Sequence, residues 1–268
     1  MLFTSPPASF PPAKKIISLV PSISELLEFL GLHDEVVGIT KFCVHPPEWQ
    51  REKRRIGGTK NIHVEEIISL KPDLVIASRE ENVKEQVDAV ALHSPVFLTD
   101  VITISDAFEM IENVGRLTGT HDRAKELVRQ IKESFQLIQP SPGRASDSTS
   151  SIQTFSIPAI YLIWKDPYMS VGGDTFISHM MEAAGLPNVL ARRNRYPEIS
   201  VEEMKVSSAE VIMLSSEPYP FKDSHVTELS ALLPDKKIIL VDGEMFSWYG
   251  SRMLYAAEYF GVIRKSLQ

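Results

Sequence analysis

The 268-residue sequence has a single cysteine, Cys43, so no disulfide can form within the chain and the fold must be held by packing and hydrogen bonds. It has no basic excess. With 28 Lys and Arg against 35 Asp and Glu the formal charge is -7 and the pI is near 5.6, which argues against a nucleic-acid or anionic-membrane surface. No apolar run approaches membrane-spanning length, and the chain reads as soluble. The opening MLFTSPPASFPPAKK carries Pro6, Pro7, Pro11 and Pro12 and no continuous apolar core, so it does not read as a secretory signal. No Gly-x-Gly-x-x-Gly follows the first apolar run and no phosphate loop exists; Gly172-Gly173 alone is a weak sign. No nucleophile, base and orienting acid stand out as a set, and the chain does not read as an enzyme. His33, His63, His93, His121, His179 and His225 are scattered without paired ligand spacing, which disfavours direct capture of zinc or manganese.

What is present starts with 43% hydrophobic residues, enough for a substantial core. The stretch THDRAKELVRQIKESFQLIQ, residues 120–139, reads as one long helix. Ala124, Leu127, Val128, Ile131, Phe135 and Ile138 recur at steps of three and four and form one apolar stripe. Thr120 is placed to cap it, Asp122 complements its first turn, and Pro140 stops it. At 1.5 Å per residue it would be about 30 Å long, the breadth of a small domain.

On either side of this helix, short apolar strands alternate with amphipathic helices. That order implies parallel sheets covered by helices on both faces. Before it come strands 16–20, 36–39, 74–77 and 95–98, with helices 22–30, 64–70, 81–90 and 105–117. The intervening segment 41–55 reads as a loop because Pro46-Pro47 interrupts it. After the helix come strands 159–164, 211–215 and 238–241 and helices 176–184, 226–232 and 249–263. The expected organisation is an N-terminal α/β lobe over 15–118, a connecting helix over 119–139, a small polar linker over 140–151 and a C-terminal α/β lobe over 152–268. The halves also echo one another: VEEIISLKPDLVIAS, from Val64, aligns without a gap on VEEMKVSSAEVIMLS, from Val201.

In open parallel α/β sheets, ligands bind beyond the carboxyl ends of the strands. The loops at those ends carry many of the large rings, among them Phe42, Trp49, Trp164, Tyr168, Tyr196, Tyr219, Phe221, Phe246, Trp248 and Tyr249. Any one ring can plug a sheet edge. Together they suggest a bulky, largely apolar ligand.

Taken together, IISLVPSISELLEFLGLHDEVVGIT, the VEEIISLKPDLVIAS block, GGDTFISHMMEAAGLPNVL and YPEISVEE resemble the periplasmic solute-binding proteins of ABC importers for cobalamin, iron-siderophores and haem. Within that family the chain looks most like the cobalamin branch. The resemblance covers essentially Lys15 to Ile263. It implies an α/β fold of two Rossmann-like lobes with parallel sheets, bridged by one long rigid helix, with a ligand cleft between the lobes. It also implies a monomer that catalyses no reaction and instead captures a metal chelate and delivers it to a permease with its ATPase, with no nucleic acid involved and a periplasmic or cell-surface location. No catalytic cofactor is expected, and the bound ligand would be cobalamin or another corrinoid, with haem or a ferric siderophore as the alternative.

Position by position, the resemblance implies that Glu65 and Glu202 pair with arginines of the permease, although first-turn glutamates also complement the helix dipole and Ser200 with Glu203 spells a capping box. Phe42, Tyr196 and Trp164, with Tyr168 next to it, fall at pocket aromatics. Glu244 falls where an acid meets the corrin amides, with Phe246 and Trp248 beside it. Thr59 stands where relatives carry a pocket tryptophan, so Trp49 or Trp248 would have to supply stacking on that side. His45 stands where haem binders carry an iron-ligating tyrosine, so metal ligation by His45 would act only through the bound chelate. For an anionic chelate, Arg192, Arg193, Arg195 and Arg252 are the expected basic partners. A cytosolic corrinoid or metal sensor and a zinc or manganese carrier are the remaining alternatives.

Overall fold

The short apolar runs pair into two main sheets in the computed structural model, which describes residues 1–138 and 156–268. Two compact units result. The first comprises Met1–Val101, Ser105–Ile131 and Tyr249–Arg252, and the second comprises Ile102–Ile104, Lys132–Trp248 and Met253–Gln268. The segment 140–151, expected as a linker, lies outside the described residues, as does Gln139.

In chain order the first half carries β1 (Leu2–Phe3), β2 (Ile16–Ser18), α1 (Pro21–Phe29), β3 (Val36–Ile39), α2 (Trp49–Glu52), β4 (Arg54–Arg55), β5 (Gly57–Gly58) and β6 (Asn61–Ile62). It continues with α3 (Val64–Ser69), β7 (Leu74–Ser78), α4 (Lys84–Ala91), β8 (Val96–Thr99) and α5 (Ile104–Thr118). Six strands pair in the order β1-β8-β7-β2-β3-β4, and every pairing is parallel. Burial on both faces explains why β2 and β7 read as unbroken apolar runs rather than as an alternation. Ile17 and Val75 on the sheet, Ile23 and Leu27 on α1, and Ile111 and Val114 on α5 are all completely buried.

The long helix α6 (His121–Ile138) follows, and the boundary between the units falls within it. Its stripe of Ala124, Leu127, Val128, Ile131 and Phe135 is buried, as the periodicity requires. Gly115 of α5 lets it approach: a Cβ there would lie 2.5 Å from that of Ala124. Arg123 reaches from α6 to the carbonyls of Phe29 and Leu30 that end α1.

The second half carries β9 (Ala159–Trp164), β10 (Met169–Ser170), α7 (Phe176–Ala183), α8 (Val201–Val206), β11 (Val211–Ser215), α9 (Asp223–Leu232), β12 (Lys237–Val241), α10 (Glu244–Ser247) and α11 (Met253–Leu267). Its sheet runs β10-β9-β11-β12. Here the all-parallel expectation is corrected at one edge, because β10 folds straight back on β9 and so pairs antiparallel. Ile160, Leu162, Met204, Ile212, Leu214 and Leu229 build its core.

The internal echo holds element for element. α3 and β7 begin and end at the same offsets as α8 and β11.

Three local expectations are overturned. The helix expected from residue 22 starts one residue earlier: Pro21 occupies the first turn of α1, where its missing N–H costs nothing, with Val20 as N-cap. The segment 41–55 is not all loop, since one turn of helix starts just past Pro46-Pro47 and β4 then adds to the sheet edge. Tyr249 does not begin the last helix. Gly250 takes φ +105°, which breaks helical geometry, and α11 starts at Met253.

Candidate functional site

In each unit, several of the candidate residues lie at or just past the carboxyl ends of strands. In the first, β3 ends into Thr40, Lys41 and Phe42, and β4 runs directly into the β5–β6 hairpin. Together these segments line an open groove of about 630 Å³. Gly57 turns the hairpin at φ +97°, where any side chain would meet the Asn61 carbonyl at 2.3 Å. Phe42 is half exposed and lies against Gly58, so that a Cβ there would be 3.1 Å from the ring. Lys41 Nζ stands 5.0 Å from the centroid of the same ring. Thr59, Lys60, Arg55 and His63 complete the wall.

Phe42 and Thr59, both expected at a pocket, therefore share one groove. His45 is half-buried and does not line it. Trp49, the proposed replacement for a missing tryptophan, is fully buried. Its indole N–H donates to His33 Nδ1 at 2.9 Å, and His33 Nε2 in turn contacts Glu52 at 3.2 Å.

In the second unit, Trp164 ends β9 with 42% of its surface exposed and meets Tyr219 edge-on at 5.6 Å. Tyr219 packs on Phe221 and His225, and its hydroxyl lies 3.4 Å from His225 Nε2. Tyr168 is half-buried and packs against the same core, and burial raises its phenol pKa. Tyr196 is half-buried, with the Arg195 guanidinium 5.7 Å from its ring centroid.

Glu244 opens α10 half-buried, and its backbone N–H is bound by Asp242 at 3.1 Å. Phe246 is corrected from pocket wall to core. It is completely buried between Tyr161 and Phe260, because the single turn of α10 points it inward. Trp248 is also buried, and its indole N–H donates to Glu217 Oε1 at 2.9 Å.

Glu217 was not singled out from sequence, although its loop was. The same oxygen accepts from Ser247 Oγ at 2.7 Å. Burial pushes its carboxyl pKa up; the two donors pull the other way, while neighbouring Glu244 and Asp242 add to the rise.

Glu65 and Glu202 are exposed, each at the second position of its helix. The capping box of Ser200 and Glu203 forms as read, and it holds the Glu203 carboxyl down to about 2 with help from Arg193. Among the described residues no cluster of three or more His, Cys, Asp or Glu could hold a metal ion. Among them, too, no helix is long and apolar enough to cross a membrane.

Residues 16–232 match the family described as periplasmic binding protein. The chain belongs to that family. Proteins similar to it include an uncharacterized ABC transporter substrate-binding lipoprotein, YvrC, of Bacillus subtilis, 31% identical over 70% of this chain. The chain spans 59% of that relative's length. A vitamin B12-binding protein of Yersinia pestis is 25% identical over 92% of this chain and 84% of its own. Among solved structures, the periplasmic heme-binding protein RhuT from Roseiflexus superposes with a TM-score of 0.76 at 21% identity, covering 96% of this chain and 100% of that one. That superposition shows a shared α/β fold.

Proposed function

We propose that the protein is the substrate-binding component of an ABC importer, capturing a corrinoid and delivering it to a permease and its ATPase, without catalysing a reaction. Membership of the periplasmic binding protein family over residues 16–232 carries this reading. It is supported by the one-to-one repetition of α3–β7 in α8–β11, which gives each unit an exposed glutamate, Glu65 or Glu202, at the same helical position.

Phe42, Thr59 and, through the bound chelate, His45 are the ligand-side groups of the first unit. Trp164, Tyr168, Tyr196 and Glu244 are those of the second. The protein works as a monomer outside the cytoplasmic membrane.

A second reading, haem or a ferric siderophore, is favoured by the basic lining of the first unit's groove. Titration of the purified protein with cyanocobalamin, haemin and a ferric catecholate separates the two. Saturable corrinoid binding upholds the first reading, binding of haemin or the catecholate alone selects the second, and binding of none overturns both.

A further inference from the structure

The chain is acidic overall, yet the groove of the first unit is lined by Lys41, Arg55, Lys60 and His63 and by no carboxylate. Local charge of the opposite sign to the whole molecule focuses anions toward that spot. His63 Nδ1 lies 3.1 Å from Glu66, which also pairs with Arg54 just outside the groove. Lys41, Arg55 and Lys60 form no ion pair with any described residue. Two of the four arginines expected around an anionic chelate behave differently: Arg193 pairs with Glu203 and Arg252 with Glu25.

The groove's cations are also held in place. Arg55 donates from Nε and Nη2 to the Gln50 carbonyl at 3.0 and 2.8 Å, leaving Nη1 outside that contact. Lys60 Nζ donates to the Glu80 carbonyl at 2.7 Å, and Lys41 rests over the Phe42 ring. Carbonyls and ring faces orient a cation without cancelling its charge. An arriving anion therefore meets preset donors and less side-chain entropy is lost on binding.

We infer that Lys41, Arg55 and Lys60 form an oxyanion subsite in this groove, seating a phosphate or carboxylate carried by the captured ligand while Phe42 covers its apolar part. The inference rests on the proposed capture function but concerns one sub-site of it. The shared chemistry has two sources: the nucleotide-loop phosphate of a corrinoid, or the carboxylates of haem or a carboxylate siderophore.

The test compares the wild-type protein with K41Q/R55Q/K60Q, whose exposed positions leave the core untouched. Each is titrated with cyanocobalamin and phosphate-free dicyanocobinamide, and with haemin and its dimethyl ester. Amide NMR shifts at Gly57 and Gly58 are followed separately on addition of citrate and of inorganic phosphate. The expected result is that the triple variant loses about tenfold or more in affinity for the oxyanion-bearing member of one pair. It should bind the neutral member as wild type does, and the salt dependence of the first should flatten. The affected pair identifies the source. Equal affinities in both proteins for every ligand overturn the inference. If no chelate binds either protein, citrate or phosphate shifts at Gly57 and Gly58 that vanish in the variant uphold the subsite and overturn the capture reading, whereas absence of those shifts overturns both.

Discussion

Arg252 and Glu25, 227 positions apart in the chain, form a two-point ion pair within the first unit: Nε to Oε2 at 3.1 Å and Nη2 to Oε1 at 2.7 Å. The pair fastens the late segment Tyr249–Arg252 to α1, deep inside a unit built otherwise from the first half of the chain. Both side chains are largely buried, at 13% and 16% exposure. Glu25→Ala leaves a guanidinium without its carboxylate and is expected to cost about 2 kcal/mol. Urea unfolding should show a lower midpoint at unchanged slope, and a double-mutant cycle with Arg252→Ala should return a coupling above about 1 kcal/mol. Simple additivity would mean the pair contributes nothing.

Arg264 of α11 closes two helix ends at once. Its Nε and Nη2 donate to the Ala184 and Ala183 carbonyls at 2.7 and 3.0 Å, and Nη1 donates to Ile138 at the end of α6. Arg264→Ala leaves these carbonyls short of donors and should destabilise by about 2–3 kcal/mol. Arg264→Lys should recover less than half of that, because an ammonium cannot fork between three acceptors. Thermal unfolding of the three proteins decides it; full recovery by lysine would contradict the fork.

The pH response of Glu217 follows from its raised pKa. A carboxyl that binds its proton more tightly folded than unfolded contributes stability below its unfolded pKa and loses that contribution as pH rises through the folded value. Glu217→Gln keeps an acceptor for Ser247 and Trp248 and removes the charge. It should leave the protein at least as stable at pH 7 and flatten the stability change just above the ordinary carboxylate range. Chemical denaturation from pH 4 to 8 would detect the opposite sign.

Glu203 runs the other way. Held down to about 2 by the Ser200 backbone, Arg193 and the Ser200 hydroxyl, it contributes above its unfolded pKa and loses that contribution as pH falls through about 2. NMR titration of its side chain should place its midpoint well below an ordinary glutamate's. Glu203→Gln, which can still accept at the cap, should remove that low-pH transition without unfolding α8.

Gly58 supplies room rather than flexibility. A valine there would press on Phe42 and Lys41, whose atoms lie 3.1 and 3.3 Å from an added Cβ. Gly58→Val should weaken ligand binding about tenfold while the unfolding midpoint moves little, because the affected side chains are on the surface. Unchanged affinity would remove Phe42 from the binding surface.

The strand-and-helix order, the long helix and the repeat were legible in the sequence because they rest on periodicity and local propensity, which short windows contain. The capping box at Ser200 was legible for the same reason. β10 and β4 were not, since two-residue strands have no period and exist only through the neighbour they pair with.

The candidate site divides along the same line. The expectation that ligands bind at the strand ends came from the order of strands and helices, and the proposal that Phe42, Trp164 and Glu244 take part came from the resemblance to the family. Which rings face inward, as Phe246 does, and which cations pair with a carboxylate, as Arg252 does with Glu25 while Lys41, Arg55 and Lys60 do not among the described residues, depended on partners tens or hundreds of residues away. Sequence by itself determined the elements and the family because these are written in local pattern. Tertiary structure alone decided exposure and charge pairing, because both are properties of distance in space.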